Sequence, residues 1–332
     1  MAANISTKFA KLDLKTPVIV GSSALSSNLD NLKKLEENGA GAVVLKSIFE
    51  EEIIFEYDEY AKEAEKYGYD YEYLDYFDYK IKQDNINKYI SLIKEAKANL
   101  SIPVIASINC ISSHEWTNFA KRLEEAGADA LELNIFIMPS DKNLTSAEIE
   151  EKYFSIIKEV RPKIQVPLIL KITHYFTGLA NIIVNLSKTG IDGLVLFNRH
   201  YQLDFDIDKR EVRAAHVFSD ETEYLLPLRW IALTSNHVEC NLAASTGVHD
   251  GRSLVKMILA GASAVQVVST IYKHGPTRIK KINEFLVNYM DKYGYNSIED
   301  FRGLISKEKI KNPAIFERVQ FMRYFSERQD IL

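Results

Sequence analysis

Polar residues able to do chemistry sit at the ends of short apolar runs. Lys46 and Ser47 follow Val43-Val44-Leu45, Asn134 follows Leu131-Glu132-Leu133, and Lys171 with Thr173 closes Leu168-Ile169-Leu170. Ser107, Asn109, Asn198 and Arg199 end two more such runs, and Gly21-Ser22-Ser23, Ser245-Thr246-Gly247 and Ser269-Thr270 end another three. Lysines bind anions, and asparagines both donate and accept hydrogen bonds. Gathered on one rim, the set suits a cavity that tolerates negative charge. Ser-Thr-Gly and Ser-Thr ahead of helical stretches suit a phosphate held by backbone N–H groups. Singly, each has a plainer reading: a surface salt bridge for a lysine, an N-cap for Ser-Thr-Gly. Of the histidines near these ends (His114, His174, His200, His249), His174 is the best placed to move a proton. No pair has metal-ligand spacing, so no metal is expected. Cys110 reads as a small buried hydrophobe.

The elements that would position these residues alternate in two kinds of joint. Gly39, Gly127, Gly190 and Gly261 each end a helix-period stretch and precede a β-branched run, as a left-handed C′ residue would. Pro17, Pro103 and Pro167 each open an apolar run, a position where the missing N–H costs no ladder bond. Strands are thus expected near 17, 41, 103, 129, 167, 192, 240 and 264. Helical stretches such as 28–37, 85–98, 116–126, 146–160 and 253–259 separate them. Eight strands alternating with helices predict an α/β fold, the (β/α)8 TIM barrel, as one domain over 1–332. An open doubly wound sheet would carry Gly-x-Gly-x-x-Gly after its first strand, where this chain has Gly21-Ser22-Ser23-Ala24. Residues 48–84 form an insertion after strand 2, 199–225 an excursion after strand 6, and 295–332 a C-terminal helical extension.

Composition narrows the class. The 332 residues are 46% hydrophobic and 26% charged, which excludes disorder, collagen and coiled coil. No apolar run reaches the ~18 residues of a membrane span, and the N-terminus lacks a signal's apolar core. Two cysteines make no disulfide framework. A cytosolic protein is expected, binding neither membrane nor nucleic acid. Residues 50–80 hold twelve acids, three lysines and eight tyrosines, so this window carries −9 while the rest of the chain sums to +4. Acids mixed with aromatics suggest an ordered lid or subunit interface.

Several stretches resemble the dihydroorotate dehydrogenase family. They are Gly261-Ala262-Ser263-Ala264-Val265-Gln266-Val267 through Tyr272-Lys273-His274-Gly275-Pro276, the Gly294–Gly303 segment, Glu132-Leu133-Asn134 and Leu170-Lys171. Leu29–Leu32, Leu196–Arg199 and Leu228–Ile231 are similar to a soluble branch of that family. The resemblance implies a flavin mononucleotide (FMN) barrel, an oxidoreductase of pyrimidine biosynthesis acting on a small anionic substrate, and a homodimer. It implies cofactor contacts from Ser22, Ser23, Lys46, Asn134 and Lys171, with Ser245, Thr246, Gly247 and Ser269 on the phosphate. Lys46, Asn134, Lys171 and Asn198 would face the substrate. The family's base, a cysteine or serine after Asn-x-Ser, falls at Ile137, and the next asparagine at Pro139. His174 is then a weak substitute, and Arg199 could select an anion. The alternative is a flavin- or phosphate-binding barrel without dihydroorotate activity, such as a redox partner subunit.

Overall fold

The structure, a computed structural model, describes residues 3–49, 71–109, 116–199 and 202–317. A hairpin of β1 (Thr7–Phe9) and β2 (Leu12–Leu14) comes first. Eight parallel strands then close on themselves: β3 (Val18–Val20), β4 (Ala42–Val44), β6 (Val104–Asn109), β7 (Ala130–Asn134), β8 (Leu168–Ile172), β9 (Gly193–Leu196), β12 (Asn241–Ser245) and β13 (Ala264–Val267). Val18 pairs with Val265 to close the ring, and Val43 with Val104 joins β4 to β6. The short β5 (Ile48–Phe49) adds to the end of β6. This is the predicted (β/α)8 barrel. All eight expected strand positions fall on barrel strands.

Helices cover the outside: α1 (Leu29–Glu37), α2 (Tyr71–Asn99), α3 (Trp116–Glu125), α4 (Ser146–Val160), α5 (Leu179–Ser187), α6 (Leu225–Thr234) and α7 (Gly251–Ala260), then the short α8 (Ser269–His274) and α9 (Thr277–Tyr293). The four joint glycines all have φ between 83° and 121°, which stops each helix and turns the chain into the next strand. Asp129 and Asp192, two residues past Gly127 and Gly190, accept from the N–H groups of Val104 and Leu168 on the neighbouring strands. Each of those N–H groups follows a strand-opening proline, so one carboxylate anchors the start of the adjacent strand.

α2 begins at Tyr71, well inside the stretch read as an insertion. Residues 50–70 lie outside the described residues, as does most of the acidic, tyrosine-rich segment expected to act as lid or interface. The excursion after β9 contains an antiparallel hairpin, β10 (Leu203–Asp206) with β11 (Glu211–Ala214). The described part of the extension, 295–317, runs as turns and two 3-10 helices, its backbone bonded to α6 and α7 through Lys307 and Ile305.

Two apolar cores result. One lies between strands and helices; the other fills the barrel with Ile19, Val44, Ile105, Ile169, Val195 and Ala243 above Phe9, Ala10 and Leu14. The β1–β2 hairpin therefore plugs the barrel's lower end. Gly193 is required there, because a Cβ on it would lie 2.9 Å from the Phe9 ring. Above the apolar layers the interior turns polar, with Ser107, Glu132, Lys171, Ser245 and Gln266 all buried.

Candidate active site

Strand pleating aims every second residue inward, so the polar residues form layers below the mouth. Ser107 sits opposite Glu132, Asn134 opposite Lys171, and Ser245 opposite Gln266. Lys171 Nζ donates to Gln266 Oε1 at 2.8 Å, and Gln266 Nε2 donates to Glu132 Oε2. A ladder of hydroxyls runs across the other side, Ser22 to Ser47 at 2.9 Å and Ser47 to Ser107 at 2.7 Å. Tyr89 reaches in from α2 and accepts from the Ser107 N–H at 3.0 Å. Burial, reinforced by the Glu132 charge, pushes its phenol far above the usual range despite that bond.

At the rim, Asn198 Nδ2 donates to Asn134 Oδ1 at 2.9 Å, so strands β7 and β9 present their amides together. Lys46 is half-buried at the end of β4. Ser23 is turned to local work: its hydroxyl accepts from Leu25 N–H and caps a 3-10 turn.

Past β12 the backbone changes hand. Thr246 has φ 80° and Gly247 φ 74°. A Cβ on Gly247 would lie 2.1 Å from Tyr224 N, so only glycine fits. The N–H groups of Thr246, Gly247 and Val248 have no acceptor among the described residues, although Gly247 and Val248 are buried. Consecutive unbonded N–H groups in such a turn make a concave anion nest. Thr246 holds the turn by donating its hydroxyl to Phe197 O at 3.1 Å. Ser269 Oγ accepts from the Ser219 N–H of the excursion at 3.0 Å, which leaves its hydroxyl hydrogen to donate. Ser219 is held in turn by His249 Nε2 at 2.9 Å and by Lys273 Nζ at 2.8 Å. Val268 packs over Gly21, 3.0 Å from where a Cβ would stand.

The base candidates separate. Ile137 packs on the helix-side core with its N–H on Tyr153 Oη at 3.3 Å. His174 lines a cleft of about 370 Å³ with Pro139, Ser146, Glu150 and Tyr175, against the Phe197 ring. Burial holds its imidazole below the ordinary value, and no described residue bonds its buried Nδ1. The structure gives it no bond to Asn134, Lys171 or Asn198. His114, His200 and Cys110 lie outside the described residues. Arg199 is not free to select an anion: it is clamped by Glu223 at 2.9 Å and by the carbonyls of His216 and Val217. Among the described residues no group of His, Cys, Asp and Glu is arranged to hold a metal.

Sequence reasoning passed over Glu132 and Gln266 as site members. The signal was present: Glu132 stands between two buried leucines of β7, and Gln266 is the one polar residue of the buried β13.

Fold and site together define a (β/α)8 barrel whose mouth joins an anion nest to a buried lysine and paired amides. The sequence model of dihydroorotate dehydrogenase matches residues 80–290, more than half of the chain. The catalytic subunit of dihydroorotate dehydrogenase B (NAD(+)) from Thermoplasma volcanium is 27% identical over 318 residues, covering 92% of this chain and 99% of the relative. Its Pyrococcus horikoshii counterpart is 25% identical over 312 residues, covering 91% and 98%. A putative dihydroorotate dehydrogenase A (fumarate) from Aeropyrum pernix is 28% identical over 216 residues, covering 64% and 70%. The chain belongs to the dihydroorotate dehydrogenase family.

Proposed function

We propose that this protein is an FMN-dependent oxidoreductase acting on the C–C bond beside a carbonyl of a small anionic molecule of the dihydroorotate type. The observation that carries the reading is the pairing of the unbonded N–H run at 246–248 with the Lys171 ammonium and the Asn134–Asn198 amides on one mouth. The residues fit a flavin nucleotide at both ends. The nest, with the Ser269 hydroxyl hydrogen, would hold the phosphate, and Ser245 would support the turn. Lys171, Ser22 and the backbone of Ser23 would meet the ring edge. When bound, FMN supplies the hydride acceptor or donor at the ring.

The chain's own residues then set what happens to the substrate. Asn134 and Asn198 would orient it through amide hydrogen bonds, and Lys46 would attract its carboxylate. Lys171 would place positive charge where a reduced ring accumulates negative charge. Ile137 takes up no proton, so the step that needs a base has none at this position. That same residue supports a second reading, a flavin-binding barrel that does not turn over dihydroorotate and serves as a redox partner subunit. A homodimer is proposed, on the strength of the excursion hairpin whose Leu203, Phe205 and Val212 share one exposed face.

An absorption spectrum tests the first claim. The purified protein should be yellow, with non-covalent FMN; a preparation that stays colourless after incubation with excess FMN ends the reading. Anaerobic bleaching by dihydroorotate then separates the enzyme from the binder.

A further inference from the structure

Three residues from three strands form one line across the barrel. Glu132 of β7, Gln266 of β13 and Lys171 of β8 are each no more than 8% exposed. A carboxylate only accepts and an ammonium only donates. The amide between them can therefore satisfy both in one orientation alone, with its NH2 on Glu132 and its carbonyl on Lys171. The observed bonds have this arrangement.

The layer beneath is apolar throughout, so the barrel's interior has no need of a charge to fill it. Glu132 also keeps one oxygen, Oε1, buried with no partner among the described residues. Burying a carboxylate so incompletely is unfavourable, and an apolar residue of similar size commonly serves stability as well or better. An acid buried in this way points to a task other than packing.

We infer that Glu132 and Gln266 are positioning residues, which fix the direction of the Lys171 ammonium at the mouth. Glu132 locks the amide of Gln266, and the locked carbonyl draws the lysine head to the barrel axis. Without the lock, an amide at 132 offers Gln266 either end, and Gln266 offers Lys171 either end. Half of those arrangements aim N–H groups at an ammonium. The inference rests on the FMN reading only for its consequence, the hold on the flavin ring.

The test uses the full chain with lysine labelled by 15N at Nζ. A lysine ammonium held in a water-excluded hydrogen bond gives a resolved 1H–15N signal; Lys171 is assigned by its loss in Lys171→Arg. Glu132→Gln, which keeps size and shape, should abolish that signal at an unchanged melting temperature. It should also weaken FMN binding about tenfold, the loss of one charge-assisted contact. Gln266→Met, which removes no charge, should do the same and in addition make the flavin midpoint potential more negative; it decides the matter if Glu132→Gln does not fold. A Lys171 signal that survives both substitutions overturns the inference, as do an unchanged FMN affinity in both and an unchanged potential in Gln266→Met, in a protein that binds FMN. If the unaltered protein binds no FMN while the signal is present and is lost in Glu132→Gln, the flavin reading falls and the positioning role stands.

Discussion

Lys171 is the only lysine among the buried residues described, and its ammonium lies against an amide carbonyl rather than a carboxylate. Its charge is thus left available toward the mouth. Lys171→Ala should weaken FMN binding by roughly 1.5–3 kcal/mol and lower the flavin midpoint potential; dye-equilibration titration and fluorescence quenching read both. Equal values in variant and parent would return Lys171 to a packing role. Ile137 is the complementary case, a position where chemistry is missing. Ile137→Cys should raise the rate of flavin bleaching by dihydroorotate about 10²–10⁴-fold in stopped flow. Fast bleaching of the unaltered protein with no gain in the variant would show that another residue takes the proton. His249 makes a statement about pH. Burial, then the nearby Lys273, holds its imidazole below the ordinary value of 6.5, so the folded protein takes up its proton less readily than the unfolded chain. Stability should be full above that value and decline as pH falls below it, by up to about 1.4 kcal/mol per pH unit for one such group. Urea midpoints between pH 8 and pH 5 should show a steeper decline for the parent than for His249→Gln. Parallel curves would mean that His249 is not the group responsible.

Among the elements, the β1–β2 hairpin is the one that a reading of strand and helix periods misses. Its strands are three residues each, too short for a period to register. Its partner surface, Gly193 and the bottom layer, is assembled from distant segments. Phe9→Ala should remove about 3–5 kcal/mol of stability, visible as a lower urea midpoint, because the cavity it leaves is enclosed by the barrel; a loss below ~1 kcal/mol would mean that the plug adjusts. The barrel strands were legible for the opposite reason. Gly39, Gly127, Gly190 and Gly261 announce each joint within a few residues of the strand they precede, and the prolines mark the alternate set. The excursion hairpin does carry a strand period, Leu203 and Phe205 alternating with Asp204 and Asp206, but over only four residues and without a buried face to mark it. The site was legible as a rim of polar types and illegible as a network. Nothing in the spacing of Glu132, Lys171 and Gln266 says that the side chain of Gln266, 95 residues onward, meets Lys171 across the barrel interior.

For the whole molecule, the exposed face of the β10–β11 hairpin is the feature a solitary barrel does not explain. Leu203 and Phe205 oppose Ala214 and Val212, while Asp204 and Arg213 pair on the other side. Phe205 is 64% exposed and Val212 62%. Two-stranded hairpins are marginal by themselves, and apolar faces of this kind are favoured at interfaces between chains. Phe205→Asp should convert a dimer to a monomer in sedimentation velocity without changing the melting of the barrel. A variant that sediments like the parent would rule this face out as the contact.

The plug at the lower end has a consequence for synthesis. Phe9 and Ala10 leave the ribosome long before their seat, since the glycine they rest against is residue 193, and Asn241, which receives the Ala10 N–H, comes later still. At ~5–20 residues per second the hairpin waits roughly ten to forty seconds for its seat. During that time β3 also lacks β13, the neighbour that closes the ring. The nascent chain thus carries an unshielded aromatic until β9 and β12 are made and an unpaired strand edge until β13 is made, and its yield should fall when ribosome-associated holdases are depleted, while the melting of the finished fold stays unchanged.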